Sequence, residues 1–346
     1  MVTIGYLHYR KRPVKSNKAY AFASVAKAEG AELLYFSPGA VDFQNRKING
    51  YKYIKGRWRK ITSEFPDVIY NASGLSTARQ EEIVDKLMAE IPFTSHAIGS
   101  KMTVFNHLVK YGEFMDYLIP TENVSSSEHF FELIERYGKI VIKPSIGSQG
   151  IDIYFIEKAG EGYEILSCDE KWSLNHEETT GFIVGKINEE VYIAQPYISS
   201  LTKHGHPYDI RIHTQKNIRR EWTAVKIYPR VSVTGSIVCN IHGGGYTAAP
   251  EAFFKREFGD DWIELMSQIE EFGVNLSAHM DMIQKDLYNE ELDELGIDIG
   301  VDENRKICIY EINWRPGSPP TMNPDFSAVK NLIHYSMLLA SGEGER

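Results

Sequence analysis

The sequence predicts a mixed α/β (α+β) protein: one small parallel α/β lobe followed by antiparallel-sheet lobes. Three observations carry that expectation. The first hundred residues alternate short apolar runs with amphipathic stretches at helical spacing, the pattern of strands joined by crossover helices. Residues 209–242 hold three consecutive strand runs, DIRIHTQ, EWTAVKIYPR and SIVCNIH, which suit an antiparallel sheet. LGIDIGVDENRKICIYEIN (295–313) reads as a hairpin turning at Asp302-Glu303-Asn304.

In chain order, Val2–His8 is a short apolar strand, Asn17–Glu29 has helical spacing ending at Gly30, and 31–37 (AELLYFS) is a second strand. GYKYIKGRWRKI (50–61) alternates around Gly56 as a hairpin does, and DVIYNAS (67–73) is a third apolar strand. Ser76–Glu90 is an amphipathic helix broken by Pro92. The carboxyl ends of such strands, here His8–Arg10, Ser37 and Asn71–Gly74, are where α/β lobes contact ligands. Ser100 caps a helix to Tyr111, and a further helix spans about Ser127–Tyr137. KIVIKPSIGSQG (139–150) is a strand entering a small-residue loop, and IDIYFIE (151–157) is the next strand. Residues 158–190 are polar and mixed, VYIAQPYI (191–198) is a strand run interrupted by Pro196, and 200–208 is a loop. Phe254–Met280 and Phe326–Ala340 are predicted helices.

Composition narrows the function. The chain has 346 residues, 42% hydrophobic and 25% charged, ordinary globular values for two or three lobes. A net charge of −9 argues against a broad nucleic-acid surface, which needs clustered cations. Cys168, Cys239 and Cys308 are scattered and odd in number, so neither a disulfide framework nor a structural zinc site is expected, and a reducing cytoplasm fits. MVTIGYLHYRKRP lacks a signal-like apolar core and no run approaches a membrane span, so no membrane partner is expected.

Several groups point to nucleotide chemistry, each with a bland counterpart. Asp298 on one hairpin strand, with Glu311 and Asn313 two apart on the other, puts two carboxylates and an amide on one face. That is a hard oxygen set suited to Mg²⁺; a solvated polar face is the alternative. Lys143 ends its strand ahead of Ser145-Ile146-Gly147-Ser148-Gln149-Gly150, whose backbone N–H groups are open for phosphates, though Gly and Ser also make plain turns. A P-loop would place its lysine after the glycines. Lys101, in a helix's first turn, opposes the macrodipole, and a surface lysine is the simpler reading. Gln195-Pro196-Tyr197 offers backbone groups to an adenine edge, or is an edge strand carrying a proline. Asp209 and Arg211 share a strand face as an ion pair would, and Lys226, Arg230 and Asn240 follow on the next two strands, before His242 and three glycines. The basic run His8–Arg12 is either a surface patch or a hint of an acidic substrate. No hydrolase triad order, H-E-x-x-H or G-x-G-x-x-G occurs.

The order of these pieces resembles the ATP-grasp superfamily of carboxylate–amine ligases. Lys101 comes first, then Lys143 with its glycine loop, the 195–198 hinge, Asp209-Ile210-Arg211, Asn240 with its glycines, and Asp298 ahead of EINWRPG (311–317). EINWRPG is similar to the E-x-N-x-x-P-G of D-alanine–D-alanine ligases and RimK-type ligases. LLYFSPGAVDFQNRKINGYKY, PDVIYNAS, KPSIGSQG, SIVCNIHGGG and LGIDIGVD together resemble the YheC/YheD family of endospore coat-associated ATP-grasp proteins, over nearly the whole chain. The resemblance implies an ATP-grasp fold with a pre-grasp α/β domain (1–98), an ATP-grasp N-terminal subdomain with a lid (99–198) and a C-terminal subdomain with the metal site (199–346). It implies ATP and Mg²⁺ as cofactors, and a small carboxylate and an amine as substrates, an amino acid or peptide among them; a homodimer stays open. By residue, it implies Lys101 and Lys143 on the α/β-phosphates and Ser145, Gly147, Ser148, Gln149 and Gly150 over the triphosphate. Gln195 and Tyr197 would frame adenine, Asp209 would lie near the ribose or phosphates, and Asp298, Glu311 and Asn313 would hold Mg²⁺. Arg230 and Asn240 would face the γ-phosphate and acyl phosphate, and Arg211 and Arg315 a substrate carboxylate. The chain has Gln195 where many members carry Glu, Ala72 where the family often has Arg, and Trp314-Arg315 where small residues are usual. A non-catalytic coat-associated protein and a small-molecule kinase are the alternatives on this fold.

Overall fold

The computed structural model describes residues 1–14, 16–72, 74, 77–147, 151–167, 170–232, 245–317 and 326–342. The chain builds three sheets in sequence. The first uses β1 (Thr3–Leu7), β2 (Glu32–Phe36), β3 (Val41–Asp42), β4 (Lys47–Ile54), β5 (Arg57–Glu64), β6 (Val68–Asn71) and β7 (Phe93–Thr94), with helices α1 (Asn17–Ala28) and α2 (Ala78–Met88). Its order is β3-β4-β2-β1-β6-β7, with β5 on the outer edge of β4. β1 lies parallel between β2 and β6, so the order reverses there and Leu7 sits beside Asn71. Such a reversal opens a crevice beyond the carboxyl ends of the strands.

The second sheet is antiparallel, in the order β12-β11-β10-β9-β13-β8. Its strands are β8 (Glu122–Asn123), β9 (Lys139–Pro144), β10 (Tyr154–Ala159), β11 (Gly162–Leu166), β12 (Lys171–Leu174) and β13 (Tyr192–Pro196). Helix α3 (Lys101–Tyr111) precedes it, and α4 (Ser127–Tyr137) and α5 (His176–Glu189) pack their apolar faces on it around Phe130, Leu133 and Ile183. The third sheet is also antiparallel, β16-β15-β14-β17-β18, from β14 (Tyr208–Lys216), β15 (Trp222–Val231), β16 (Tyr246–Thr247), β17 (Glu294–Val301) and β18 (Ile307–Trp314). Against it lie α6 (Pro250–Phe258) and α7 (Trp262–Tyr288). Gly273 allows the close approach: a Cβ there would meet Ile212 Cγ2 at 2.5 Å. The last helix, α8 (Phe326–Ala340), returns to the first lobe, where Val329, Leu332 and Ile333 join Ile4, Tyr6 and Phe22 in one core.

Three expectations change. The region 158–190 holds two strands and a helix; its Thr- and Gly-bearing stretch hides α5, yet Asn175 and Glu178 form a capping box at its start. The helix expected over 254–280 is two helices, separated at Gly259, whose φ of 68° and ψ of −137° suit glycine alone. The strand expected from residue 151 begins at Tyr154, because Asp152 takes a φ of 57°. The SIVCNIH strand lies outside the described residues. No helix among the described residues is long and apolar enough to cross a membrane.

Candidate functional site

The second and third sheets meet over a solvent-open cleft. Val104, Leu118, Ile193 and Ile309 supply apolar walls, and Lys101, Lys143, Gln195 and Glu311 line the same cleft. Each polar group arrives on a different element. Lys101 opens α3, capped by Ser100, whose side chain accepts from the Thr103 N–H. Its Nζ donates to the Pro144 and Gly147 carbonyls (3.3 and 3.0 Å) and lies 3.5 Å from Glu311 Oε1. A helix N-terminus repels a cation, so this ammonium is held by the loop and the carboxylate. Lys143 reaches across from β9 to donate to the Tyr310 carbonyl at 3.3 Å. That carbonyl is available because the β17–β18 ladder shifts register between Asp298 and Ile299, leaving Tyr310 outside the ladder pairing. Burial pushes the Lys143 ammonium down to about 8, with Glu311 pulling the other way.

Gln195 donates its amide to Thr121 Oγ1 at 2.8 Å at the cleft edge. Tyr197 is placed elsewhere. Its N–H donates to Lys139 O at 3.0 Å, and its ring meets Phe155 edge-on and carries Lys139 Nζ at 4.7 Å. Ser145 is buried, with its N–H on Val191 O, and Gly147 is exposed beside Lys101. Ser148, Gln149, Gly150 and Asn240 lie outside the described residues.

Beyond the cleft, the hairpin face carries a buried ionic group. Asp298 stands opposite Glu311 in the ladder, and opposite Arg211 on its other side. Both Asp298 oxygens are engaged. Arg211 donates through Nε to Oδ1 and through Nη2 to Oδ2 (2.8 Å for the latter), Arg230 Nη2 lies 3.0 Å from Oδ1, and Asn313 Nδ2 donates to Oδ2 at 3.3 Å. Arg230 also holds Asp209 bidentately, both contacts at 2.6 Å. Burial works against the Asp298 charge, but the Arg211 and Arg230 guanidiniums outweigh it and hold the carboxyl below its usual range. Arg211, expected to grip a substrate carboxylate, instead grips this one. Gly296 makes room for it: a Cβ there would lie 3.2 Å from Arg211 Nη1 and 2.5 Å from Pro316 Cβ.

Asp298, Glu311 and Asn313 are the donor set expected for a Mg²⁺ ion. Two carboxylates and an amide oxygen on one hairpin face are the right chemistry for a hard cation. Glu311 is partly exposed, and Asp298 presents oxygens whose present partners are all nitrogen donors. The residues fit, provided Asp298 exchanges nitrogen partners for the ion. Among the described residues no three His, Cys, Asp or Glu form a ready cluster.

Arg315 follows the hairpin with a left-handed φ of 52° and turns toward the first lobe. Its Nη1 donates to the backbone and side-chain oxygens of Asn71 (3.2 and 3.3 Å). Thr121, Tyr310 and Lys18, the last described below, carry no motif of their own. Tyr310 could have been singled out by its place just before Glu311.

Comparison with solved structures identifies the architecture as the ATP-grasp fold. The D-alanine–D-alanine ligase of Coxiella burnetii superposes with a TM-score of 0.57 at 11% identity, over 99% of this chain and 97% of that one. A RimK-domain ATP-grasp protein of Sphaerobacter thermophilus superposes at 0.55 and 10% identity, over 97% and 99%. Within that class, the family model described as YheC/D-like ATP-grasp matches residues 90–339, and the chain belongs to this family. Two proteins of Bacillus subtilis (strain 168) are similar along most of the chain. The endospore coat-associated protein YheD is 24% identical over 95% of this chain and 75% of its own length, and YheC is 21% identical over 92% and 89%.

Proposed function

We propose that the chain is an ATP-dependent carboxylate–amine ligase that forms an amide through an acyl phosphate, releasing ADP and phosphate. The observation that carries this reading is the convergence of Lys101, Lys143, Gln195 and Glu311 on one cleft between two sheets. The apolar walls suit a base, and the two ammoniums suit α/β-phosphate oxygens as compact charges. Gln195 stays beside the base, whereas Tyr197 supports the lid sheet. Glu311, Asn313 and Asp298 would hold Mg²⁺, which when bound neutralises phosphate charge. Arg230 and Asn240 are assigned to the transferred phosphoryl group, Ser145–Gly150 to the triphosphate, and Asp209 and Arg211 to positioning Arg230 and Asp298. The domain division is 1–98, 99–198 and 199–346.

In the first step a substrate carboxylate oxygen attacks the γ-phosphorus and the bond to ADP breaks. In the second, an amine attacks the acyl carbon, phosphate leaves with the bonding pair, and the amine loses a proton. Positioning and charge neutralisation suffice, without a protein nucleophile. Substrates are small carboxylates and amines, and the location is cytoplasmic.

A second reading, nucleotide binding without turnover, is favoured by one observation: both Asp298 oxygens are already occupied by arginines and Asn313. A mass-spectrometric screen of amino acids and peptides with ATP separates the readings. Loss of one water with ADP release supports the ligase. Phosphorylation without an amine supports a kinase. An ATP-dependent thermal shift with no turnover supports binding alone. Within the ligase reading, Glu311→Gln should lower Mg-dependent turnover roughly 100-fold or more with the fold intact. Lys143→Ala should raise the ATP Kd roughly tenfold or more. Normal ATP binding and hydrolysis by both variants would place the site elsewhere.

A further inference from the structure

The crevice beyond β1 and β6 has a charge pattern that the nucleotide cleft does not explain. Three cations converge on His8 there, from three separate parts of the chain: Arg10, Lys18 and Arg315. None makes an ion pair with a carboxylate among the described residues. Each rests on an aromatic face instead: Arg10 on Tyr9 (5.5 Å to the centroid), Lys18 on Phe22 and Tyr70 (5.8 and 5.4 Å), and Arg315 on Trp314 (3.5 Å). Unpaired exposed lysines are ordinary, but Lys18 and Arg315 are half-buried. The chain carries nine more carboxylates than Lys and Arg together, so partners are not scarce.

The framework around these cations is fixed. His8 Nδ1 accepts the Arg10 N–H at 3.0 Å, so the neutral ring keeps its proton on Nε2. Burial, and then Arg10, Arg315 and Lys18, push this imidazole down to about 4. The Tyr35 hydroxyl, on a fully buried ring, pins the loop by donating to Arg10 O at 2.8 Å. Asn71 orients Arg315 through neutral oxygens, and the buried Glu294 and Asp293 carboxylates attract it without making an ion pair. Preorganised cations whose donors are not taken up by carboxylates are what an anion-binding site requires, and the Glu294 carboxylate holds Lys18 in place from beyond ion-pair distance.

We infer that Arg10, Lys18 and Arg315, with His8 Nε2–H, form a subsite at the β1/β6 crevice for an anionic group on the substrate, separate from the carboxylate that is activated. This rests on the ligase reading only for what happens to the bound molecule. Arg315 lies two residues past Asn313, within about 7 Å of chain, so a small molecule can span both places. The substrate class is therefore an amino acid or short peptide with a second acidic group. A carboxylate and a phosphate share the required charge.

Calorimetry on the full chain with Mg²⁺ and a non-hydrolysable ATP analogue tests this. The probes are L-glutamate against L-glutamine, L-aspartate against L-asparagine, and O-phospho-L-serine against L-serine. At least one acidic member should bind about tenfold or more tighter than its neutral partner. Arg10→Gln and Lys18→Gln should each remove most of that preference. A phosphoserine preference without a glutamate or aspartate preference identifies the group as phosphate, and the reverse as carboxylate. Equal binding within every pair, no binding of any acidic probe, or a preference untouched by both variants overturns the subsite. ATP turnover with neutral amino acids and no acid preference would retain the ligase and remove the subsite. Acid binding without any turnover would do the opposite.

Discussion

The molecule holds its clustered cations in two ways. In the third sheet, Arg211 and Arg230 are locked against Asp298 and Asp209 by bidentate contacts. At the end of the first sheet, Arg10, Lys18 and Arg315 lie on aromatic rings with no carboxylate in ion-pair contact among the described residues. Carboxylate partners make the first group self-satisfied, so removing a member leaves a buried charge stranded. Aromatic partners hold a cation by its flat face and leave its donors free. One arrangement fixes its cations in place through carboxylates, the other leaves donors open to an incoming anion.

The largest expected effect follows from breaking the first group. Arg230→Ala strands Asp209 and should cost about 3–5 kcal/mol, read by urea unfolding. Pairing Arg230→Met with Asp209→Leu should recover most of it, because a well-packed apolar pair replaces the ions. A loss below about 1 kcal/mol from the single variant would erase the contrast, since exposed pairs behave that way. Gly296→Ala should cost about 1–3 kcal/mol by driving Pro316 and the Arg211 guanidinium aside, and should impair Mg-dependent turnover as well. Arg315→Gln and Lys18→Gln should each cost only about 1 kcal/mol in the same assay, because the lost ring contact and the lost attraction to the buried Glu294 carboxylate are partly offset by relief of repulsion among the cations.

The smallest effect is a pH dependence. The folded His8 pKa is held near 4, below the unfolded value. Between pH 4 and about 6.5 the unfolded chain therefore binds more protons, and stability rises with pH through that window. Solvent screening of the half-exposed ring keeps the effect under about 1 kcal/mol. His8→Asn should flatten that part of the curve, measured as Tm against pH.

Much of the fold could be read from residues near one another in sequence. The Ser100 cap, the Ser127–Tyr137 and Phe326–Ala340 helices and the turn at Asp302 follow from local spacing and capping chemistry. The Asp302 side chain accepts the Asn304 and Lys306 N–H groups, which fixes that turn. The break at Gly259 was hidden because apolar spacing continues across it. The gathering of Lys101, Lys143 and Glu311 was expected from motif order. The capture of Asp298 by Arg211 was not, because it depends on β14 lying beside β17, two strands far apart in the chain. The His8 cluster was harder still. Its cations come from a loop, a helix and a post-hairpin turn, and only the sheet order brings them together.

Helix α8 has a consequence for synthesis. Its Val329, Leu332 and Ile333 complete a core whose other members, among them Ile4, Tyr6 and Phe22, are synthesised about three hundred residues earlier. At about 5–20 residues per second, the first-sheet lobe waits on the order of tens of seconds for α8. During that time its apolar face is bare, and a chain cut before α8 keeps that face bare permanently. The first-sheet lobe is thus closed like a clasp, fastened by a helix made long after its strands.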